Sequence, residues 1–368
     1  MTAAGLTMSP GSSIDAVALS AQRRTRFGFG ALGVAFTASL LLGAGIGAMP
    51  ITPGEIAAIL LRATGLASDN AASDAKSMVL LSIRAPRVVL GAIVGAGLGV
   101  AGASLQGLFR NPLADPGLIG VSTGAALAAA LAIVLGGHVL PLLPEVLRPL
   151  LLPLAAFLGG LAASFAVYRI AQRNGRTRVT TLLLAGVALN ALAGSILGLL
   201  IFASTDQQLR DLNFWLLGSL AGVTWDRLAV AAPMILLPVA ALPFMARPLN
   251  ALIMGEREAA HLGYRVERVK RSVIALAALT VGAGVALTGV IGFVGLVVPH
   301  IVRLALSSDH RILLPASALL GATLLPLADL AARMVVLPAE LPVGILTSAI
   351  GGPFFLWLLM RREMETAA

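Results

Sequence analysis

The chain has 368 residues, 58% of them hydrophobic and 12% charged, with 26 basic against 17 acidic side chains and no cysteine. Soluble domains carry roughly 25% charged residues, so this excess of apolar surface excludes a soluble fold and points to an integral membrane protein. The absent cysteine excludes disulfide, iron–sulfur and thiolate–metal chemistry, and without period-two alternation the spans are helices rather than barrel strands.

Residues 1–22 are polar and rich in Ser and Ala, and are expected to form a disordered cytoplasmic segment ahead of one transmembrane domain, 23–368. The first span, 27–48, is too long for the 7–15-residue core of a signal peptide and follows Arg23, Arg24 and Arg26, so it is expected to be retained. The second, 88–107, reads VVLGAIVGAGLGVAGASLQG, with Gly91, Gly95, Gly99, Ala103 and Gly107 recurring every four residues. That stripe of small residues predicts close approach of another helix. Gly97, Gly99 and Gly102 also match GxGxxG, but mid-span and without a preceding strand, so they carry no nucleotide reading. After the rigid turns at Asn111–Pro112 and Asp115–Pro116 come spans near 117–136, 149–170, 180–203 and 228–245. Asn190, the most polar side chain of the fifth span, is expected to be packing glue.

Residues 249–263, LNALIMGEREAAHLG, interrupt the apolar pattern with two short helical pieces punctuated by Gly255 and Gly263. The second carries Glu256, Arg257 and Glu258, with Ala259 and Leu262 available to pack. Four spans follow near 273–290, 292–306, 313–331 and 341–360, giving ten in all and both termini on one side. With those termini cytoplasmic, eighteen of the 26 bases lie inside, the expected positive-inside bias. The net charge of +9 thus follows from topology, and nucleic acid is not an expected partner.

The middle of each span lacks Asp, Glu, Lys and Arg, which argues against an ion-coupled secondary transporter, the rival reading from another class. Nor can the chain bind a nucleotide through a P-loop, since Lys76 follows Ala75 and Lys270 follows Val269 rather than glycine. His138, His300 and His310 sit in loops or at span ends and are not expected to be metal ligands.

Several stretches, in order, resemble a known family: 83–126 (IRAPRVVLGAIVGAGLGVAGASLQGLFRNPLADPGLIGVSTGAA), PLNALIMGEREAAHLG (248–263), GFVGLVVPHIVRL (292–304), LADLAARM (327–334) and AELPVGILTSAIGGPFFLWLL (339–359). The sequence is similar to the FecCD permease subunits of type II ABC importers, which carry vitamin B12, ferric siderophores or haem. The resemblance implies an all-α polytopic protein of about ten spans, working as a homodimer in the bacterial inner membrane. Its implied partners are two ABC ATPase subunits, which hold the ATP and Mg, and a periplasmic binding protein. No catalytic residue, metal or cofactor belongs to this chain.

The resemblance further assigns coupling to the ATPase to Asn250, Leu252, Gly255, Glu256, Arg257, Glu258, Leu262 and Gly263. It assigns a cytoplasmic gate to Asn111, Leu113, Val179 and Thr180, and binding-protein docking to Arg84, Arg87 and Arg333. Val179 stands where the vitamin B12 permease places Thr, so this half of the gate is expected to seal by apolar contact. The stretch DQQLRDLNFWLLGSLAGVTW (206–225) looks most like the haem permeases, making haem the expected substrate, with a ferric siderophore or vitamin B12 as alternatives.

Overall fold

Backbone amides in hydrocarbon find no water, so each apolar run must satisfy its hydrogen bonds internally, and each does so as a helix. A computed structural model of the protein describes residues 10–66, 74–336 and 339–367. In chain order the helices are α1 (Pro10–Gly45), α2 (Pro53–Ala63), α3 (Asp74–Met78), α4 (Ala85–Phe109), α5 (Val121–Val139), α6 (Leu151–Ala171), α7 (Val179–Phe202) and α8 (Asp206–Leu216). They continue with α9 (Trp225–Ala241), α10 (Ala246–Met254), α11 (Glu256–His261), α12 (Val266–Thr288), α13 (Val294–Ala305), α14 (His310–Val335) and α15 (Val343–Ala367). A π-helical turn, Val79–Arg84, runs directly into α4.

Among the described residues, eight helical stretches are long and apolar enough to cross a membrane, and the shorter apolar helices Val294–Ala305 and Val343–Leu358 cover the eighth and tenth predicted spans. The segment expected to be disordered lies outside the described residues as far as residue 9. From Pro10 the backbone is already helical and continues unbroken into the first span, with proline at the helix start, where its missing N–H costs nothing. Two amphipathic helices outside the predicted spans, α2 and α8, each start from a capping box, Thr52 with Glu55 and Thr205 with Gln208.

Helix α4 is the buried axis: Leu90, Val100, Ala101, Ala103 and Leu105 are fully enclosed. Its small-residue stripe lies against α14. A Cβ at Gly95 would collide with the Gly321 carbonyl, one at Gly99 with the Ser317 carbonyl, and one at Gly107 with the His310 ring. The close approach predicted from the sequence is therefore present, and it joins the two helices along most of their length. Helices α5 and α6 form a second close pair, with α12 wedged between α4, α6 and α9.

The chain is all-α as expected, with one short hairpin between α6 and α7. Strands β1 (Gln172–Arg173) and β2 (Arg176–Thr177) pair antiparallel, Gln172 opposite Thr177 and Arg173 opposite Arg176. The turn residues Asn174 and Gly175 both have positive φ, 52° and 73°, which is how a two-residue loop matches the twist of the strands it joins.

Candidate functional site

The bundle has two polar ends. At the first, Arg24, partway along α1 where its membrane-spanning part begins, donates to the carbonyls of Leu304 and Ala305 at the end of α13. The same end carries α10, α11, the hairpin and the start of α14. At the second, the C-terminus of α1 meets Arg84, just before α4, and Arg333, near the end of α14, and Arg87 of α4 joins them through Asp329.

At the first end the two short pieces form as expected, α10 and α11 meeting at Gly255, whose φ of 141° favours glycine. A Cβ there would also strike the Glu258 carboxylate. Leu252 and Ala259 are buried anchors, whereas Ile253, Met254 and Leu262 are exposed together with Glu256, Arg257, Glu258 and Gly263. Of the two residues expected to be available to pack, Ala259 is buried within the chain and Leu262 points outward.

Asn250 fixes α10 to α14. Its Nδ2 donates to Asp309 Oδ1 (2.6 Å), and its Oδ1 accepts from the His310 backbone N–H (3.0 Å) and from Nδ1 of the His310 ring (2.8 Å). Asp309 in turn caps α14 by accepting from Arg311 N–H (2.9 Å). Partial burial works to raise the Asp309 carboxyl. The bonds from Arg311 and Asn250 outweigh it, with help from the Arg311 and His310 charges, and hold the carboxyl below its ordinary range.

The second tether was not anticipated. Lys270, 2% exposed in the first turns of α12, places its ammonium 2.8 Å from Glu256 of α11, 2.8 Å from the Thr177 carbonyl and 3.4 Å from Glu267. Glu267 accepts from Thr177 N–H through both oxygens (3.0 Å each) and from Thr177 Oγ1 (2.8 Å). Two signals in the sequence mark this site. AsnGly in QRNGRT is a strong hairpin signal, and Lys270 is one of two lysines in an arginine-rich chain. Both lysines find glutamates, the other pair being Lys76 with Glu55 at 2.6 Å.

The residues expected to form a gate sit at this same end. Asn111 Oδ1 accepts from Leu113 N–H (3.0 Å) and Asp115 Oδ1 from Gly117 N–H (2.7 Å), which makes RNPLADPG a rigid turn. Asn190 of α7 donates to the Gly117 carbonyl (3.3 Å), so it does act as glue between α7 and this turn. Val179 is half-buried and packs on the core, while Thr180 is exposed. Among the described residues no hydrogen bond joins Asn111 or Leu113 to Val179 or Thr180.

At the second end Arg84, Arg87 and Arg333 are 5%, 6% and 8% exposed, and each is committed within the chain. Arg84 donates to the carbonyls of Ala44, Gly45 and Met49, supplying the donors that the end of α1 lacks. Arg87 grips Asp329 with Nε and Nη2 (2.9 Å) and reaches Glu340 with Nη1 (2.8 Å). Arg333 lies 3.2 Å from Asp329 and donates to the Gly43 carbonyl (3.0 Å). The three guanidiniums therefore present little charge to a second protein; Glu340 is the half-exposed member of the cluster.

His300 lies edge-on to Phe354, and among the described residues no group of three or more His, Cys, Asp or Glu side chains could hold a metal ion.

Residues 35–361 match the FecCD transport family. The hemin transport system permease protein HmuU of Yersinia pestis is 48% identical over 81% of this chain and 87% of its own length. The cobalamin import system permease protein BtuC of Halobacterium salinarum is 46% identical over 79% of this chain and 76% of its own. The vitamin B12 import system permease protein BtuC of Vibrio cholerae is 42% identical over 80% and 86%. A solved inward-facing structure described as a metal-chelate type ABC transporter superposes with a TM-score of 0.78 at 31% identity, covering 91% of this chain and 99% of that one.

Proposed function

The chain belongs to the FecCD transport family and is a permease subunit of a type II ABC importer, and we propose that the substrate it passes into the cytoplasm is haem. The observation that carries the choice of haem is the likeness, at 48% identity, to a hemin transport permease. Cobalamin is the second reading, because permeases named for it match nearly as well.

In this reading the chain works as a homodimer in the bacterial inner membrane, with the substrate path between the two copies. A periplasmic binding protein delivers the substrate, and two ATPase subunits hold ATP and Mg. The α10–α11 tip supplies the contact with the ATPase: exposed Ile253, Met254 and Leu262 beside Arg257 form an apolar face with a charged rim, suited to a groove on a soluble subunit. The bonds of Asn250 to Asp309 and His310 carry displacement of that tip to α14. Asn111, Leu113, Val179 and Thr180 form the cytoplasmic gate, Val179 sealing by apolar contact. The buried Arg84, Arg87 and Arg333 serve docking indirectly, by holding Glu340 and the Gly43–Met49 rim of the outer surface in place.

The test is reconstitution of the chain with its ATPase and binding protein, followed by ATP-dependent uptake of haem, a ferric siderophore and cobalamin. Haem uptake is the expected result. Uptake of cobalamin or the siderophore without haem overturns the substrate and leaves the importer. Uptake that ignores ATP and collapses with the ion gradient overturns the importer as well.

A further inference from the structure

We infer that Lys270 is a positioning residue that makes the coupling tip and the gate segment of α7 move as one body. This rests on the permease reading, and adds a second line of transmission beside the Asn250 contact.

Helix α11 is six residues long, too short to be stable alone, so its orientation is set by what holds it. It is attached through Gly255, through buried Ala259 and through the Glu256–Lys270 bond of 2.8 Å. An ammonium has three protons to donate, and Lys270 has three acceptors, one each on α11 (Glu256), α12 (Glu267) and the hairpin (the Thr177 carbonyl). Thr177 is itself buried, and its N–H and hydroxyl both go to Glu267. Two residues after Thr177, Val179 begins α7. One ammonium and one carboxylate thus separate the tip that meets the motor from the first gate residue of α7.

Burial gives this short chain its stiffness. A lysine removed from water cannot surrender a partner without leaving charge uncompensated, so displacement of α11 costs less if Thr177 and the start of α7 follow. Glu256 is the exception, with 43% of its side chain exposed. It is the member a partner subunit can reach, and therefore the point where force enters or is released.

The chain has no cysteine, so a cysteine pair at positions 178 and 261, both exposed and flanking the network, can be spin-labelled without background. The Arg178→Cys/His261→Cys permease is assembled with its ATPase and binding protein, and label distances are recorded with and without ATP. Uptake per ATP hydrolysed is measured on the same assembly. The expected result is a narrow distance distribution that keeps its width when ATP is added. Lys270→Met should broaden it and lower uptake per ATP by about fivefold or more, the lower end of coupling factors between linked sites. Because Lys270→Met can fail to assemble, Glu256→Gln is the second variant. It replaces the ionic partner on α11 by a weaker, neutral acceptor and leaves Lys270 its other two, and should give a smaller broadening with a smaller loss of coupling. If the distribution and the uptake ratio in Glu256→Gln equal those of the parent, the inference is overturned. If the parent itself takes up nothing with ATP, the permease reading has failed instead.

Discussion

The two polar ends of this bundle use the same chemistry for opposite purposes. At the end bearing Arg84, Arg87 and Arg333, one buried carboxylate, Asp329, is shared by two guanidiniums, and further bonds run to carbonyls at and just beyond the end of α1 and to Glu340. Helices α1, α4 and α14 are locked together there. At the end bearing α10 and α11, a buried ammonium is shared by acceptors on three elements, one of which, Glu256, opens to solvent. Each cluster has one member open to solvent, Glu340 at the first end and Glu256 at the second, but only at the second does the buried charge orient a short helix of its own. A transporter needs both: a fixed frame, and a joint that a second protein can act on.

The largest effect should come from breaking the fixed end. Asp329→Ala leaves Arg87 and Arg333 buried without their shared counter-ion, and should cost about 3–5 kcal/mol, the range for removing one partner of a buried ion pair. Thermal unfolding of the detergent-solubilised protein reads this directly, and a loss below 1 kcal/mol would mean that water reaches the cluster.

The seam between the ends comes next. Gly95→Val places a side chain against the Gly321 backbone carbonyl, which cannot retreat without parting α4 from α14, and overpacking of this kind costs about 1–3 kcal/mol. Gly137→Val, in a position with open space around it, is the control and should be near neutral.

At the joint, Asn250→Ala removes the partner of Asp309 and His310 and should cost about 1–2 kcal/mol. Uptake per ATP should fall more than stability does. A pH dependence accompanies this contact. The Asp309 carboxyl titrates below its unfolded value, so its contribution is present above about 4 and is lost as the pH falls through the lower folded value. Asn250→Ala should flatten that part of the stability–pH curve, and an unchanged curve would place the effect elsewhere.

The smallest effect belongs to Glu55, a partly exposed carboxyl that the Lys76 ammonium, with bonds from Thr52, holds down to about 2. Its contribution is likewise present above the ordinary carboxylate range and lost as the pH falls toward 2. Solvent and salt weaken such surface pairs, so Glu55→Gln should leave the melting temperature of the whole protein within error at neutral pH. A large shift would show that α2 and α3 are part of the frame.

Much of this could be read from residues close in sequence. Apolar runs of sufficient length became helices because lipid leaves the backbone no alternative. The Gly91–Gly107 stripe announced a tight helix contact, since a small residue at every fourth position clears one face. Gly255 marked the break within the tip and Gly263 its end. The capping boxes at Thr52 and Thr205 and the Asn174–Gly175 turn were equally local, and a search for those signatures would have found α2, α8 and the hairpin.

What the sequence by itself determined, then, was the class of solvent, the helices and the faces that would press together, because hydropathy and backbone geometry act over a few residues. Only the tertiary structure decided which charges meet. Arg87 and Asp329 are 242 positions apart, and Lys270 and Thr177 are 93 apart. No local pattern distinguishes an arginine that faces solvent from one enclosed by three helices. The surroundings set the electrostatics of each group, and those surroundings exist only once distant segments have packed.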